Sequence, residues 1–121
     1  MTHLELRASI EAHLQDAQWL AAHHMMGRLW QAHPTTATAA YLAARYRQVA
    51  PALTFRTARV ALLRSFTIEP LVPLIRAAGL TAGIDFQIKV GGFSSSAQEM
   101  IDPASWLSDF SPDVIILAIQ T

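Results

Sequence analysis

The stretch RVALLRSFTIEPLVPLIR, residues 59–76, contains the pattern that decides the fold. Residues 60–63 form a short continuous apolar run, which is typical of a strand covered on both faces of a parallel sheet. Pro70 and Pro73 follow this run, and a helix tolerates proline only in its first turn. The stretch therefore predicts a buried strand, a polar turn and a helix that ends before Gly79.

Two further strands are predicted in the second half of the chain. Residues 84–90 alternate apolar and polar side chains, as in a half-exposed strand near a sheet edge, and Gly91-Gly92 is predicted to break it. Ser96 and Asp102 then each predict a short helical segment. Residues 114–119, VIILAI, are apolar throughout and predict the most deeply buried strand. Because helical segments connect the strands, we predict an α/β fold with a three-stranded parallel sheet in the flavodoxin-like order 2-1-3.

Helical spacing dominates the first half of the chain. Thr2 and Glu5 form a capping box ahead of a first helix. Asp16 is a candidate N-cap for a second helix, which is predicted to end ahead of Pro34. A third helix is predicted over residues 35–50, so this half is expected to form an antiparallel helical bundle.

Length and composition limit the function classes. The chain has 121 residues, and we divide it into a helical bundle at residues 1–52 and a partial α/β domain at residues 53–121. Nine basic residues balance nine acidic ones, which argues against nucleic-acid binding or a basic membrane patch. No apolar run is long enough to span a membrane and no signal sequence is visible, so a cytoplasmic location is predicted. Without any Cys, this chain cannot supply disulfides, thiolate metal sites or a thiol nucleophile.

The apolar strand at residues 114–119 conflicts with its place in the predicted sheet. Weakly apolar strands are expected at the edges of a parallel sheet, whereas this strand is the last one and leaves one edge unpaired. Two explanations remain open: a fourth strand beyond this chain, or a second copy that pairs with strand 114–119 in a homodimer. A chain cut from a larger α/β domain is the first expectation.

A candidate ligand site lies where the three strands end, because ligands bind beyond the carboxyl ends of parallel strands near a switch point. The candidate ligand-binding residues there are Ser65, Phe66, Thr67, Gly91, Gly92, Phe93, Ser94 and Gln120. Ser65 is the candidate nucleophile, with backbone N–H groups of the glycine pair as an oxyanion hole. The favoured alternative is a Ser/Thr turn that caps the next helix, because every His lies at or before position 33 and no base is available.

Two clusters in the helical half are interpreted as structural. His13 and His24 would share one face of a continuous helix, but Asp16 is expected to interrupt it, and no carboxylate or Cys completes a ligand set. We therefore predict neither a metal nor a cofactor. An aromatic and methionine cluster is expected to pack between helices and consists of Trp19, Met25, Met26 and Trp30.

Several segments together resemble the N-terminal region of FkbH-like proteins, a family of the haloacid dehalogenase superfamily. They are RVALLRSFTIEPLVPLIR at 59–76, GGF at 91–93, QEMIDP at 98–103, SPDVIIL at 111–117 and LWQAHP at 29–34. The resemblance extends over nearly the whole chain. The combination of segments is what makes it specific.

The resemblance implies a place in polyketide biosynthesis. FkbH-like proteins take a glyceryl unit from a phosphorylated three-carbon donor and load it onto an acyl carrier protein, using a downstream domain with a D-x-D motif and a Cys. Neither feature occurs in this chain. The N-terminal region is itself similar to SGNH hydrolases, which implies an SGNH-like fold with Ser65 at the nucleophile position, Gly91 or Gly92 near the second-block glycine and a third block beginning at Gln120-Thr121. Ser94-Ser95-Ser96 departs from the amide or aromatic residues of many relatives.

Three functions are therefore expected in order of preference. The first is a non-catalytic N-terminal binding or scaffold domain whose partner is an acyl carrier protein or the downstream catalytic domain. The second is an SGNH-type esterase or acyl hydrolase with Ser65 as nucleophile. The third is an interaction module that dimerises through strand 114–119, and for this chain alone we expect no enzymatic activity.

Overall fold

The structure is a computed structural model that describes residues 2–93, 96–102 and 104–119 of the chain. A turn of 3-10 helix at Glu69–Leu71 precedes the fourth α-helix. The helices and strands follow in the order α1 His3–Gln15, α2 Trp19–Ala32, α3 Thr36–Val49, β1 Arg56–Arg64, α4 Val72–Thr81, β2 Ile84–Phe93, α5 Ser96–Ile101, α6 Trp106–Phe110 and β3 Val114–Ala118.

The sheet has the predicted topology. Its strand order is β2-β1-β3, with β1 in the centre. β3 runs parallel to β1, and their register places Val60 opposite Val114 and Leu63 opposite Leu117. The predicted α/β fold and strand order 2-1-3 are therefore confirmed. The physical reason for this order is that the apolar run in β1 requires a neighbouring strand on each side.

The first of two compact units contains the helices α1, α2 and α3 together with most of α4, and it spans Met1–Arg56 and Pro73–Asp85. The Thr2 hydroxyl accepts a hydrogen bond from the Glu5 N–H at 3.2 Å, as the capping box predicts. α2 packs against both α1 and α3. Met25 and Met26 are buried in the core of this unit, and Trp19 and Trp30 pack against that core. Ala77 of α4 belongs to the same core.

The junction between α1 and α2 differs from the prediction. Asp16 is the C-cap of α1, where its N–H donates to the Ala12 carbonyl, and it does not cap α2. The reversal follows at Ala17, whose φ of 57° lies in the left-handed region. Gln18 precedes α2 without a capping side-chain bond. Asp16 therefore ends one helix because its backbone still completes the α1 hydrogen-bond pattern.

Two glycine predictions are wrong. α4 continues through Gly79 to Thr81, and the left-handed turn that follows it lies at Gly83, with φ +85°. β2 continues through Gly91-Gly92 to Phe93, although that pair was predicted to break it. Glycine permits a break but does not require one, since it also adopts helical and extended backbone angles.

The second compact unit contains the sheet and spans Thr57–Val72 and Phe86–Thr121. Ala61 and Leu63 of β1 are buried with Leu107 of α6, and Trp106 and Phe110 pack against this cluster. Both short helices between β2 and β3 are present.

The start of α6 differs from the prediction at Asp102. Its carboxylate accepts a hydrogen bond from the Ala104 N–H at 2.9 Å, within a turn that precedes the helix. α6 begins four residues later at Trp106, with Ser105 as its N-cap. Asp102 therefore stabilises the connection between α5 and α6 and does not cap α6.

β3 is exposed, which corrects the prediction that it is the most deeply buried strand. Ile115 is 42% exposed and Leu117 is 51% exposed, whereas Leu62 and Leu63 in β1 are fully buried. β3 lies at the end of the sheet order, where β1 is its one neighbour among the described strands. Strand side chains point above and below the sheet, and none of the β3 side chains belongs to a buried cluster of the described residues. Apolar composition does not bury a strand whose faces are not covered.

The described helices include none that is both long enough and apolar enough to cross a membrane. The longest of them, α2 and α3, have 14 residues each, whereas a spanning helix needs about 20.

A charged cluster joins α1 to α3. Glu11 of α1 accepts hydrogen bonds from the Tyr41 hydroxyl at 2.7 Å and from Arg45 Nε at 2.6 Å, both on α3. The guanidinium groups of Arg7 and Arg45 lie 4.2 Å and 4.5 Å from the centre of the Tyr41 ring. Burial and the bond to Glu11 raise the pKa of Tyr41 to about 12, and the bonds from Arg45 and Tyr41 lower the pKa of Glu11.

We expect Tyr41→Phe to lower the free energy of unfolding by about 1 kcal/mol, because the variant loses a hydrogen bond to a carboxylate. Urea denaturation at neutral pH measures this change. In the wild type, the contribution of Tyr41 is complete below pH 10 and is lost as the pH rises towards its folded-state pKa of about 12. The wild type should therefore lose stability more steeply than Tyr41→Phe over that interval. Additive effects of Glu11→Gln and Tyr41→Phe in the double variant would contradict this coupling.

Candidate functional site at the carboxyl ends of the strands

The carboxyl ends of β1 and β3 are joined by a backbone hydrogen bond. β1 ends at Arg64, and the N–H of the next residue, Ser65, donates to the carbonyl of Ala118 at 3.0 Å. Ser65 is half-buried at this position. The parallel ladder thus extends one residue beyond the end of β1 and holds the turn that follows it.

Arg64 connects β1 to β2 and to the turn ahead of α4. Its Nε donates to the carbonyl of Gly91 at 2.9 Å, and its guanidinium forms an ion pair with the carboxylate of Glu69. The Arg64 side chain is 11% exposed, so much of its surface is removed from solvent. A charge-assisted pair that is partly buried and also bonded to backbone restrains all three segments.

Glu69 is held by more than Arg64. One carboxylate oxygen accepts a hydrogen bond from the Ile68 N–H at 3.1 Å. The backbone N–H of Glu69 itself and the Arg64 guanidinium hold the pKa of the Glu69 carboxyl below its usual range. The carboxylate therefore stays ionised near neutral pH, where its charge stabilises Arg64.

The described candidate residues all belong to the second compact unit. Phe66 is half-buried, Gly91 is buried, and Thr67 and Gly92 are exposed. Phe93 contributes the last residue of the β2 backbone. Ser94 and Gln120 lie outside the described residues, so their part in the site stays a prediction.

Arg64 and Glu69 are the residues that the sequence reasoning did not single out. The sequence predicts that the backbone N–H of Gly91 is a donor in an oxyanion hole. In the structure the carbonyl of Gly91 accepts a hydrogen bond from Arg64 Nε. The signal in the sequence was an arginine directly after an apolar strand, followed by a glutamate within a proline-containing turn. Such a pair at the carboxyl end of a strand indicates a positioned charge at the ligand-binding edge of a parallel sheet.

Metal coordination finds no support among the described side chains. Within residues 2–93, 96–102 and 104–119, no group of three or more His, Cys, Asp or Glu side chains could hold a metal ion. The charged groups at the strand ends can instead hold backbone and polar groups in place by hydrogen bonding.

Comparisons with known proteins support the fold. The sequence matches no family model and no curated protein. A solved structure with a similar fold is the crystal structure of the N-terminal part of the protein BF1531 from Bacteroides fragilis, which contains a phosphatase domain and is complexed with Mg. The TM-score is 0.53 at 22% sequence identity, and the likeness covers 55% of this chain and 18% of that chain. Likeness at this identity shows a shared fold for the aligned part.

We expect Glu69→Gln to destabilise the protein at neutral pH, because it removes the charge that pairs with Arg64 while preserving the side-chain shape. The folded-state pKa of Glu69 lies below the value of 4.5 expected for an unperturbed group. Its contribution is therefore present above that value and is lost as the pH falls through the folded-state pKa. Denaturation midpoints of wild type and variant should converge in acid.

Asp109→Asn is the matched control for this experiment. It also removes one negative charge from the second unit, and Asp109 forms no hydrogen bond or ion pair with a described residue. An equal effect of both substitutions at neutral pH would show that net charge, and not the pair with Arg64, determines the result.

Proposed function

We propose that this chain is a non-catalytic N-terminal binding or scaffold domain of an FkbH-like protein that loads glyceryl units onto an acyl carrier protein in polyketide biosynthesis. The sequence segments at 59–76, 91–93, 98–103 and 111–117 support this assignment. A second support is the shared fold with the N-terminal part of BF1531, a protein that also contains a phosphatase domain. A cytoplasmic location belongs to the same proposal.

The non-catalytic part of the proposal rests on the absence of a His after position 33, and the state of Glu69 argues against this carboxylate as the base in its place. A general base works best when its pKa lies near the operating pH, which for a carboxyl requires a raised value. The pKa of Glu69 is lowered, and its carboxylate is already bound by Arg64 and by the Ile68 N–H. This arrangement favours a positioned loop over an esterase in which Glu69 activates Ser65.

The strand-end loops are the proposed binding face for an acyl carrier protein or for the downstream catalytic domain. Thr67 and Gly92 are exposed there, while Arg64 holds the last residues of β2 through the carbonyl of Gly91. A loop that is restrained before binding loses less conformational entropy when a partner orders it. The paired charges thus supply a preorganised surface.

An acyl carrier protein titrated into the ¹⁵N-labelled chain tests the binding role. We expect amide resonances of residues 64–67 and 91–92 to shift on binding, and Thr67→Glu to weaken the interaction about tenfold by adding a charge to the proposed face. Thr54→Glu is the matched control, because Thr54 is exposed and precedes β1 at its opposite end. Equal effects of the two substitutions would contradict the assignment of this face.

Hydrolysis of an activated ester by the same preparations separates the binding domain from an SGNH-type esterase. Wild type and Ser65→Ala should hydrolyse p-nitrophenyl acetate at the same background rate. Activity in the wild type that disappears in Ser65→Ala would overturn the binding-domain proposal and identify Ser65 as a nucleophile.

The exposed edge of β3 supports a second candidate function, self-association through this strand. Residues 114–119 include no charged residue and no proline, the features that usually protect an edge strand. Antiparallel pairing of β3 with the same strand of a second copy about a two-fold axis would cover both edges and bring no like charges together. A second copy is therefore the occupant that we propose for this edge.

The backbone of β3 defines which residues face the open edge. The carbonyl of Ala118 points towards β1, where it accepts from Ser65. Because backbone groups of alternate strand residues point in opposite directions, the N–H groups of Ile115 and Leu117 point away from β1. A proline at position 117 would remove an outward donor and leave the pairing with β1 in place.

Sedimentation equilibrium of the full chain tests self-association. We expect the wild type to form dimers in a concentration-dependent manner, and Leu117→Pro and Ile115→Lys to remain monomeric. Leu4→Lys is the control for loss of an exposed apolar side chain elsewhere, since Leu4 is 78% exposed on α1. A wild type that stays monomeric at every concentration would refute this candidate function.

A further inference from the structure

A cleft of about 1150 Å³ opens on the helical unit along α2. Its wall includes Trp19, Leu20, His24, Gly27 and Arg28 from α2, and Thr81 at the end of α4. This volume is slightly above the usual range of small-molecule sites, which is about 300–1,000 Å³.

A hydrogen bond positions the α4 side of the cleft. His23 Nε2 lies 2.7 Å from the carbonyl oxygen of Leu80, and because a carbonyl accepts, the ring nitrogen donates. The ring of His23 also contacts Phe55 edge-on, with 5.2 Å between the ring centres. The hydrogen bond to Leu80 holds the C-terminal turn of α4 against α2, next to Thr81 in the cleft wall.

The charged and polar groups of the cleft favour an anion. The lining residues include no Asp or Glu, and Arg28 is exposed among them. No hydrogen bond or ion pair joins the side chains of Arg28 and His24 to a described residue. Arg28 and His24 lie four residues apart, so they share one face of α2. A guanidinium that no described residue binds can donate two parallel hydrogen bonds to a carboxylate.

The other end of the cleft is apolar. Leu20 is 72% exposed, and the half-buried Trp19 lies beside it in the first turn of α2. Leu20 and Arg28 lie eight residues apart, which is about 12 Å along a helix, and the two share a face of α2 with His24. A ligand with an anionic group at Arg28 and an extended apolar chain towards Leu20 would therefore match the chemistry at both ends.

Gly27 keeps the middle of the cleft open. A glycine inside a helix is unfavourable relative to alanine, so its presence requires a reason. A Cβ atom built at Gly27 would lie 3.7 Å from the Thr81 carbonyl oxygen and 3.9 Å from its Cβ, which is ordinary contact. Alanine would fit without strain but would occupy space between two lining residues. The packing of the helices therefore does not by itself require glycine here.

We propose that this cleft binds an amphipathic monocarboxylate, with its carboxylate on Arg28 and its apolar chain lying past Gly27 towards Leu20. The site is separate in sequence from the strand-end loops, and the proposal does not depend on their function. The exposed apolar side chain of Leu20 and the guanidinium of Arg28 on one face of α2 carry the argument.

Titration of the ¹⁵N-labelled full chain with octanoate tests the site. We expect saturable shifts of the amides of residues 20–28. Octan-1-ol, which has the same chain length without the charge, should bind about tenfold more weakly. Shifts confined to residues 114–118 would assign octanoate to the exposed strand and overturn the proposal, as would equal binding of the alcohol.

Two variants and one control separate binding from folding. Arg28→Gln should weaken octanoate binding about tenfold, whereas Arg47→Gln should leave it unchanged, because Arg47 is exposed on α3 outside the cleft. Gly27→Ala should raise the Tm through helix propensity and yet weaken binding. Unchanged affinity in both Arg28→Gln and Gly27→Ala would refute the proposed site.

Discussion

The hydrogen-bonding requirement of the central strand is the constraint on which the sheet unit depends. β1 is buried from Val60 to Leu63, so its backbone groups must find partners in neighbouring strands on both sides. β2 and β3 satisfy this requirement in the order β2-β1-β3. Where the ladder ends, Arg64 continues the connection by bonding the Gly91 carbonyl and pairing with Glu69. The candidate site at the strand ends therefore begins at Arg64, the last residue of β1.

The same constraint explains why β3 is exposed. A central strand needs a neighbour on each side, whereas an outer strand can keep one backbone edge unpaired. No β3 side chain belongs to a buried cluster of the described residues, so Ile115 and Leu117 are exposed although the composition of β3 is that of a buried strand. Apolar composition and edge position together favour an additional strand against this side of the sheet. The two candidate functions use different parts of the sheet. Partner binding uses the loops at the strand ends, whereas self-association uses the open edge of β3.

The helical unit depends on a different combination of forces. Leu6, Ile10, Leu29 and Leu42 are buried in its core, and the charged cluster around Tyr41 joins α1 to α3 at the surface. The α2 face that contains Leu20, His24 and Arg28 is exposed along the cleft instead. A helix that packs on two neighbours and still lines a cleft thus combines a structural face with a candidate binding face.

Periodicity in the sequence alone determined the helices, the three strands and their order, because burial on both faces and helical crossovers leave few topologies for a parallel sheet. It also placed Ser65 directly after β1. Tertiary structure decided the rest: that Asp16 ends α1, that Gly79 and Gly91 lie inside regular elements, and that Arg64 pairs with Glu69. Local residue preferences permit several backbone conformations and several partners, and the energy that selects one comes from groups distant in sequence. For the same reason only the folded chain shows that β3 is exposed.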